Sequence, residues 1–354
     1  ALGSAIVMAI IVDNRTYRFE EFKKLKDVNM GRQPITAIAD FLEKWYGPED
    51  MIQIPTSGST GKPQLKNYSK ESILASAEKT AQFFKFKPGQ KALLALPVKY
   101  VGGQLMVVRA IVADMDLYAV APSSQPLESN LPSMDFVPLT VHQFHSSYDR
   151  DRSTLNKVKN ILLGGGPVSS STQELCKELS CSVYHGYGMT ETLTHIALRN
   201  ITLNEEHFTT LPGIKLSIGD QSNLIITAPH LEETVVTTDC VELLSDSSFI
   251  WLGRIDNIIN TGAVKINPET VENKLEPFIE HRFFIGAVED ERLGQKVALV
   301  VECAACSDID LVILGAALEK YERPKVLLTL PKFSMTDTGK IKRNETILLA
   351  TQNK

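Results

Sequence analysis

Residues 159–191, KNILLGGGPVSSSTQELCKELSCSVYHGYGMTE, decide the fold. Lys159-Asn160-Ile161-Leu162-Leu163 is a short β-rich run that meets Gly164-Gly165-Gly166-Pro167. A helical stretch follows from Ser170 to Leu179, with Ser169-Ser170-Ser171 placed to cap it, and Ser182-Val183-Tyr184 is the next strand. A β-α-β unit of this kind sets two strands parallel and lays helices on the sheet faces.

The same rhythm holds upstream. A helical pattern runs from Ser69 to Phe84, with Ile73, Leu74, Ala77 and Ala81 at helical spacing. The strand Ala92-Leu93-Leu94-Ala95-Leu96 ends at Pro97, Gly103 to Ala113 has the length of a buried helix, and Leu117-Tyr118-Ala119-Val120 is the next strand. After about Thr209 the pattern changes to short strands and turns at 213–218, 223–227, 234–238 and 241–244. Near Gly253-Arg254-Ile255-Asp256 a second unit begins, mixing strands (283–288, 296–301) with helices (268–279, 309–318). The expectation is an α/β fold: a large N-terminal α/β domain, residues 1–255, with mostly parallel sheets flanked by helices, and a small C-terminal α+β domain, residues 256–354.

Composition narrows the function class. With 43% hydrophobic and 22% charged residues, the 354-residue chain has the balance of a globular protein with a sizeable core. Its net charge of -5 comes without a basic stripe, so nucleic acid is not expected as a partner. No apolar run approaches the roughly 20 residues that span a bilayer, and Ala5–Val12 reads as a buried strand, not a signal peptide. Five cysteines, an odd number, point to a reducing, cytoplasmic compartment. Cys303-Ala304-Ala305-Cys306 has no second pair or histidine cluster beside it in sequence, and reads as two thiols at a strand end. His142, His145, His207, His230 and His281 lack partners at ligand spacing and read as surface or loop residues.

Five stretches carry chemistry. The first is QIPTSGSTGKPQ, residues 53–64, which departs from a Walker loop at Thr56 and Pro63. Its glycines and hydroxyls still suit a phosphate chain, because exposed N–H and O–H groups donate to anionic oxygens; a plain polar turn is the other reading of this loop taken alone. The second, Tyr184-His185-Gly186-Tyr187-Gly188-Met189-Thr190-Glu191, follows a strand and ends on a carboxylate suited to Mg²⁺. The third is Thr237-Thr238-Asp239, an acid suited to a ribose diol; the fourth is Trp251–Asn257; the fifth is Thr338-Gly339-Lys340-Ile341-Lys342-Arg343.

In this order the five stretches resemble the adenylate-forming superfamily of acyl-CoA synthetases, luciferases and peptide-synthetase adenylation domains, over about Pro55 to Arg343. The resemblance implies that Thr56, Ser57, Gly58, Ser59, Thr60, Gly61 and Lys62 close over the ATP phosphates. It implies that His185, Gly186, Tyr187, Gly188 and Thr190 frame the adenine, and that Glu191, with Thr60, holds Mg²⁺. Asp239 and Arg254 would bind the ribose, Asp256 would be the hinge of a mobile C-terminal domain, and Lys340 would bridge the substrate carboxylate and the α-phosphate. Lys340, Thr60 and Glu191 are the implied catalytic residues, with ATP, Mg²⁺ and coenzyme A as the implied small molecules. Three departures stand out: the family's Pro-Lys after the loop is replaced by Lys62-Pro63-Gln64-Leu65-Lys66, the second hinge acid is Asn257, and the chain is shorter than usual before Pro55.

The acid substrate is read from Leu96–Ala110. Arg109 is a permanent cation inside an apolar helix, and a buried arginine demands an anion. Either a protein Asp or Glu supplies it, or a second carboxylate of the substrate does, held bidentately. The segment resembles the o-succinylbenzoate–CoA ligases of menaquinone biosynthesis, which implies that Tyr100, Gly103, Arg109 and the turn Gly164, Gly165, Gly166 line the acyl pocket. The expected activity is therefore an ATP-dependent, AMP-forming acid–thiol ligase that acts on small molecules, with a homodimer as its assembly. The alternatives are a CoA ligase for another aryl or acyl acid, a non-catalytic adenylate-binding relative, and a phosphohydrolase against which Pro63 argues.

Overall fold

The computed structural model describes residues 9–18, 33–56, 64–262, 264–304, 306, 308–336 and 340–352. Their packing forms two compact units. The first draws on Ala1–Pro167, Leu175–Lys215 and Thr227–Val235, the second on Val168–Glu174, Leu216–Ile226 and Val236–Lys354.

In the first unit the strands are β1 (Ala9–Val12), β2 (Arg15–Arg18), β3 (Met51–Pro55), β4 (Leu65–Ser69), β5 (Lys91–Leu94), β6 (Asp116–Ala119), β7 (Met134–Thr140), β8 (Val158–Gly164), β9 (Ser182–Met189), β10 (Thr194–Asn200) and β11 (Phe208–Thr210). The main sheet runs β11-β10-β9-β8-β7-β5-β6-β1-β2. Its middle is parallel, through the pairs β1–β6, β5–β6, β5–β7, β7–β8 and β8–β9. Those strands are nearly continuous apolar runs, with Phe136, Val137, Ile161 and Leu163 fully buried, as strands covered on both faces must be. The expected β-α-β rhythm is thus present, with α1 (Gln33–Tyr46), α2 (Lys70–Phe84), α3 (Val101–Ala113) and α4 (Val141–Leu155) among the strands.

Local chemistry sets the element ends. Ser69 caps α2 by accepting the Ser72 N–H, and Thr140 caps α4 in a reciprocal box with Gln143. Ser169 accepts the Thr172 N–H at the start of α5 (Ser170–Lys177), as the serine run suggested, and Glu276 accepts the N–H groups of Ser170 and Ser171. One difference matters for the site. Tyr184–Met189, expected as a turn after a short strand, continues β9, because β10 pairs antiparallel with it from Tyr184 to Met189. The turn itself is only Thr190–Thr192.

In the second unit β12 (Lys215–Ile218), β13 (Asn223–Thr227), β14 (Val235–Ser245) and β15 (Ser248–Arg254) lie side by side in that order. β14 is one strand where two were expected, carried through a register shift at Cys240/Val241. A smaller sheet holds β16 (Ile259–Thr261), β17 (Val264–Ile266), β18 (Phe283–Asp290), β19 (Gly294–Glu302) and β20 (Val326–Leu330), with α6 (Pro268–Leu275), the one-turn α7 (Leu311–Leu314) and α8 (Arg343–Gln352). The helix expected over 268–279 ends at Leu275 because Pro277 cannot continue the hydrogen-bond ladder; a 3₁₀ turn finishes it. Among the described residues, no helix is long and apolar enough to cross a membrane.

Candidate active site

The glycine- and hydroxyl-rich loop is carried by the hairpin β3–β4, whose register pairs Pro55 with Leu65. Ser57, Gly58, Ser59, Thr60, Gly61, Lys62 and Pro63 lie outside the described residues. Its base is closed by Thr56. The Thr56 N–H and hydroxyl both donate to the Gln64 carbonyl, at 2.7 and 3.1 Å, and the Gln64 N–H donates back to the Thr56 hydroxyl at 3.2 Å. Thr56 is therefore a buried clasp whose hydroxyl is turned to Gln64, so its contribution to a phosphate site is to fix where the loop starts and ends.

Two motifs far apart in sequence meet at His185. Parallel pairing of β8 and β9 sets Leu163 opposite His185, and His185 Nε2 lies 3.1 Å from the Gly166 carbonyl. On the other side Arg199 Nε donates to His185 Nδ1 at 3.3 Å, which leaves the proton on Nε2 for Gly166. Burial, reinforced by the Arg199 charge, lowers the imidazole to about 3, so it is neutral at physiological pH. His185 is thus a wall that orients the glycine turn and not a base. Gly165 adopts φ +82°, and a Cβ on Gly164 or Gly166 would meet nothing within 4 Å, so the turn borders open space. Tyr187 and His185 both pack on Phe208. Gly188 has a packing reason of its own: a side chain there would run into the Thr194 carbonyl on β10.

Arg109 sits on α3, 2% exposed, and its partners carry no charge. Its Nε donates to the Thr80 hydroxyl at 3.2 Å, and its Nη2 to the Thr194 hydroxyl at 2.7 Å, with His195 Nδ1 at 3.5 Å. The Thr80 hydroxyl lies 3.1 Å from His195 Nε2. Burial and then the arginine's charge hold His195 well below the usual imidazole range, so it is a neutral neighbour. Burial lowers Arg109 itself to about 9, which leaves it charged at neutral pH. Among the described residues no salt bridge involves Arg109. Thr80, Thr194 and His195 escaped the sequence reading; His195 and Ile196 are consecutive buried residues of β10, and such a run gives no signal that separates a ligand from a core residue. Tyr100 precedes α3, with the Lys99 ammonium 5.6 Å from its ring centroid, and Gly103 lets α3 approach the Pro97 carbonyl, which a Cβ would strike.

Glu191 projects from the Thr190–Thr192 turn, held by the Thr192 hydroxyl, which accepts the Met189 N–H at 2.9 Å. Thr190 is buried beside it. Lys66 on β4 places its Nζ 3.9 Å from Glu191 Oε1, both side chains being partly exposed. Burial, then the Glu191 charge, raises the Tyr68 phenol on the same strand to about 12. The lysine displaced two positions along the chain therefore faces the acidic turn. A half-exposed carboxylate oxygen on a short rigid turn is the donor type that a hard cation such as Mg²⁺ takes; Thr60, the other expected ligand, is outside the described residues.

The remaining residues belong to the second unit. Asp239 is buried on β14 and pairs in register with Arg254 on β15. Arg254 Nη2 donates to the Thr238 hydroxyl and to Asp256 Oδ2, both at 2.7 Å. Asn257, where the resemblance led one to expect a second acid, donates to Glu269. The lysine loop has the same kind of base as the first loop: Thr336 N–H donates to the Lys340 carbonyl at 2.8 Å, and the Lys340 N–H to the Thr336 hydroxyl at 3.0 Å. Asp337, Thr338 and Gly339 lie outside the described residues, and Lys340 itself is exposed. In the first unit His230 is buried, where a surface or loop residue was expected, with Nε2 3.4 Å from the Thr192 carbonyl; in the second unit His281, a partly exposed loop residue as expected, pairs with Asp308.

Comparison with known proteins bears on the family and the fold. The family model described as AMP-binding enzyme matches residues 4–232. A 2-succinylbenzoate–CoA ligase of Salmonella typhimurium is 26% identical over 306 residues, 81% of this chain and 66% of that protein, so the chain spans about two thirds of that relative's length. An acyl-CoA synthetase (AMP-forming)/AMP-acid ligase II-like protein from Dyadobacter fermentans is 30% identical, with a TM-score of 0.61 over 93% of this chain and 98% of that one. An o-succinylbenzoate CoA synthetase from Bacillus subtilis, solved with its acyl-adenylate intermediate, shares the fold with a TM-score of 0.79 at 16% identity, covering 96% and 94%. The chain belongs to the family of AMP-binding enzymes.

Proposed function

We propose that the protein is an ATP-dependent, AMP-forming acid–thiol ligase whose acid is an aromatic dicarboxylate, o-succinylbenzoate, converted to its CoA thioester for menaquinone biosynthesis. The observation that carries the choice of acid is Arg109: a buried, charged guanidinium whose hydrogen-bond partners among the described residues are two hydroxyls and a neutral imidazole. A fork of N–H donors in a desolvated site binds a carboxylate bidentately, and a second substrate carboxylate meets that demand.

In the first half-reaction one carboxylate oxygen attacks the α-phosphorus, the bond to the bridging oxygen of the β-phosphate breaks, and pyrophosphate leaves. In the second, a thiol sulfur attacks the anhydride carbonyl and AMP leaves. Glu191 and Thr60 would hold Mg²⁺, which when bound offsets phosphate charge. Lys340 would bridge the two reacting anions, Asp239 and Arg254 would bind the ribose, and His185, Gly186, Tyr187, Gly188 and Thr190 would frame the adenine. Tyr100, Gly103 and the Gly164–Gly166 turn would line the acyl pocket. The division at residues 255 and 256, with Asp256 as hinge, lets Lys340 serve one half-reaction and withdraw for the other. A cytoplasmic homodimer is part of the same reading, checked by light scattering and fractionation.

The deciding experiment is pyrophosphate release with o-succinylbenzoate, benzoates and fatty acids, run beside Lys340→Ala. Strong preference for the dicarboxylate, abolished by the lysine change, is expected. Equal rates on a monocarboxylate would remove the argument from Arg109, and normal pyrophosphate release in the lysine variant would remove its assigned role.

A further inference from the structure

Away from the proposed active-site residues, the second unit gathers four side chains of three chemical kinds at one end of its small sheet. β18 and β19 pair antiparallel from Phe283↔Val301 outward, so the residues just before β18 lie beside those just after β19. The Glu302 N–H donates to the Arg282 carbonyl at 2.8 Å and fixes that neighbourhood. His281 precedes β18 by two residues; Cys303, Cys306 and Asp308 follow β19. His281 Nε2 lies 3.1 Å from Asp308 Oδ2. One ligand atom each of His281, Cys306 and Asp308 falls within 4.8 Å of the others. Cys303 and Cys306 are joined as a disulfide with Cα atoms 6.1 Å apart, which corrects the reading of two thiols.

The donor set has a chemistry that an ion pair and a disulfide do not use. Two thiolates, an imidazole and a carboxylate form the S₂NO combination favoured by zinc, at C-x-x-C spacing for the sulfurs. In a tetrahedral zinc site the ligand atoms lie roughly 3.3–3.8 Å apart, given metal–ligand bonds of about 2.0–2.3 Å, so His281, Cys306 and Asp308 need a small contraction, while the two sulfurs must separate on reduction to admit the ion. His281 and Asp308 are partly exposed, at 36% and 61% of their side-chain surface, which gives an ion a path from solvent. The two cysteines are partly buried against the apolar cluster that includes Ile279, Ile285 and Val301, which holds their stems in place.

We propose that His281, Cys303, Cys306 and Asp308 form a redox-gated site for a thiophilic divalent cation, best suited to Zn²⁺. In the oxidised state the sulfurs are bonded to each other and have no thiolate to give. A dithiol or phosphine reductant supplies two electrons and, with two protons, opens the disulfide to two thiols while the reductant is oxidised. Binding of the cation then releases both thiol protons and leaves the site with a net charge of -1. The clip ties Cys303, Cys306 and Asp308 to His281 before β18, so its occupancy stabilises this end of the second unit.

The test uses the full chain, reduced with a phosphine that is then removed under anaerobic conditions, and Co²⁺ as the spectroscopic probe. One equivalent should give the thiolate charge-transfer band and the intense visible bands of tetrahedral cobalt, lost on adding Zn²⁺. His281→Ala and Asp308→Asn should each weaken binding by about tenfold or more. The oxidised protein should show no bands. Cys303→Ser/Cys306→Ser should also show none; bands that persist there come from Cys176, Cys181 or Cys240 and overturn the proposal. A second readout keeps the test independent of the variants' folding: Zn²⁺ should protect Cys303 and Cys306 of the reduced wild-type chain from alkylation, read by peptide mass spectrometry. Equal alkylation with and without Zn²⁺ overturns it as well.

Discussion

Arg109 is a buried guanidinium and Arg343 a largely buried one, and they differ in what faces them. Arg343 grips Glu272 with two parallel bonds, Nη1 to Oε1 at 2.6 Å and Nη2 to Oε2 at 2.9 Å, donates to the Ile285 carbonyl and lies over the Phe284 ring. Arg109 faces the hydroxyls of Thr80 and Thr194 and a neutral His195. A cation that brings its own carboxylate completes the fold; one surrounded by neutral groups suits a carboxylate that arrives from outside. This difference, more than the presence of either arginine, separates a structural cation from the specificity role proposed for Arg109.

The largest expected effect lies on the structural side. Arg343→Met leaves Glu272 withdrawn from water with only the Ile285 N–H as donor, and should cost about 3–5 kcal/mol of stability in urea unfolding. Replacing both partners, Arg343→Met with Glu272→Met, should recover most of that loss. A stable single variant would break the comparison at its firmer end. Arg109→Met orphans no protein carboxylate, so its stability change should be the smaller of the two. Its cost should appear in catalysis instead: about 2–5 kcal/mol of transition-state binding, roughly 30- to 5,000-fold in kcat/KM for the dicarboxylate, with monocarboxylate rates unchanged. Equal losses on both acids would show that Arg109 only supports the fold. Arg109→Lys should fall between, since a point charge lacks the fork.

These two arginines also mark how far the sequence could be read. The parallel sheet was legible because apolar runs such as Ile161-Leu162-Leu163 alternate with glycine-punctuated helices, a local pattern. Arg109 was legible as an anomaly, a charge inside an apolar helix, yet its partners were not, because Thr80 and Thr194 come from other elements 29 and 85 residues away. The hydrogen bond between His185 and Gly166 was hidden for the same reason: both motifs were visible, but only strand pairing sets them side by side. Likewise Cys303 and Cys306 looked like spare thiols because His281 reaches them through sheet register, which no spacing rule encodes.

The neutral imidazoles sharpen the comparison through pH. His185 is lowered by burial first and by Arg199 second, to about 3 against an ordinary 6.5. The fold therefore prefers its neutral form: this contribution is complete above pH 6.5 and is lost progressively as pH falls from 6.5 toward 3. Each such histidine adds up to about 1.4 kcal/mol of stability loss per pH unit across that window. His195, lowered for burial and then for Arg109, acts in the same direction. His185→Gln keeps an acceptor for Arg199 and a donor for Gly166 without the titration, so its stability should fall less steeply between pH 6 and 4, roughly one histidine's share of the slope. An unchanged slope would mean that His185 is protonated without strain, and the neutral surroundings inferred for Arg109 would lose an independent support.

The smallest effect concerns an exposed cation. Lys66 and Glu191 approach to 3.9 Å, but both are in contact with water, and pairs of this kind contribute about 0–1 kcal/mol. Stability should therefore be indifferent to Lys66→Ala, unlike Arg343→Met. If Lys66 instead serves the phosphate chain beside the acidic turn, the change should raise KM for MgATP a few-fold while KM for the acid stays fixed. Added salt should shrink that difference, because screening acts on exposed charges and spares buried ones such as Arg109. A loss that ignores salt would place Lys66 in the same class as the buried arginines, and the division between cations that hold the fold and cations that hold the substrate would need a third member.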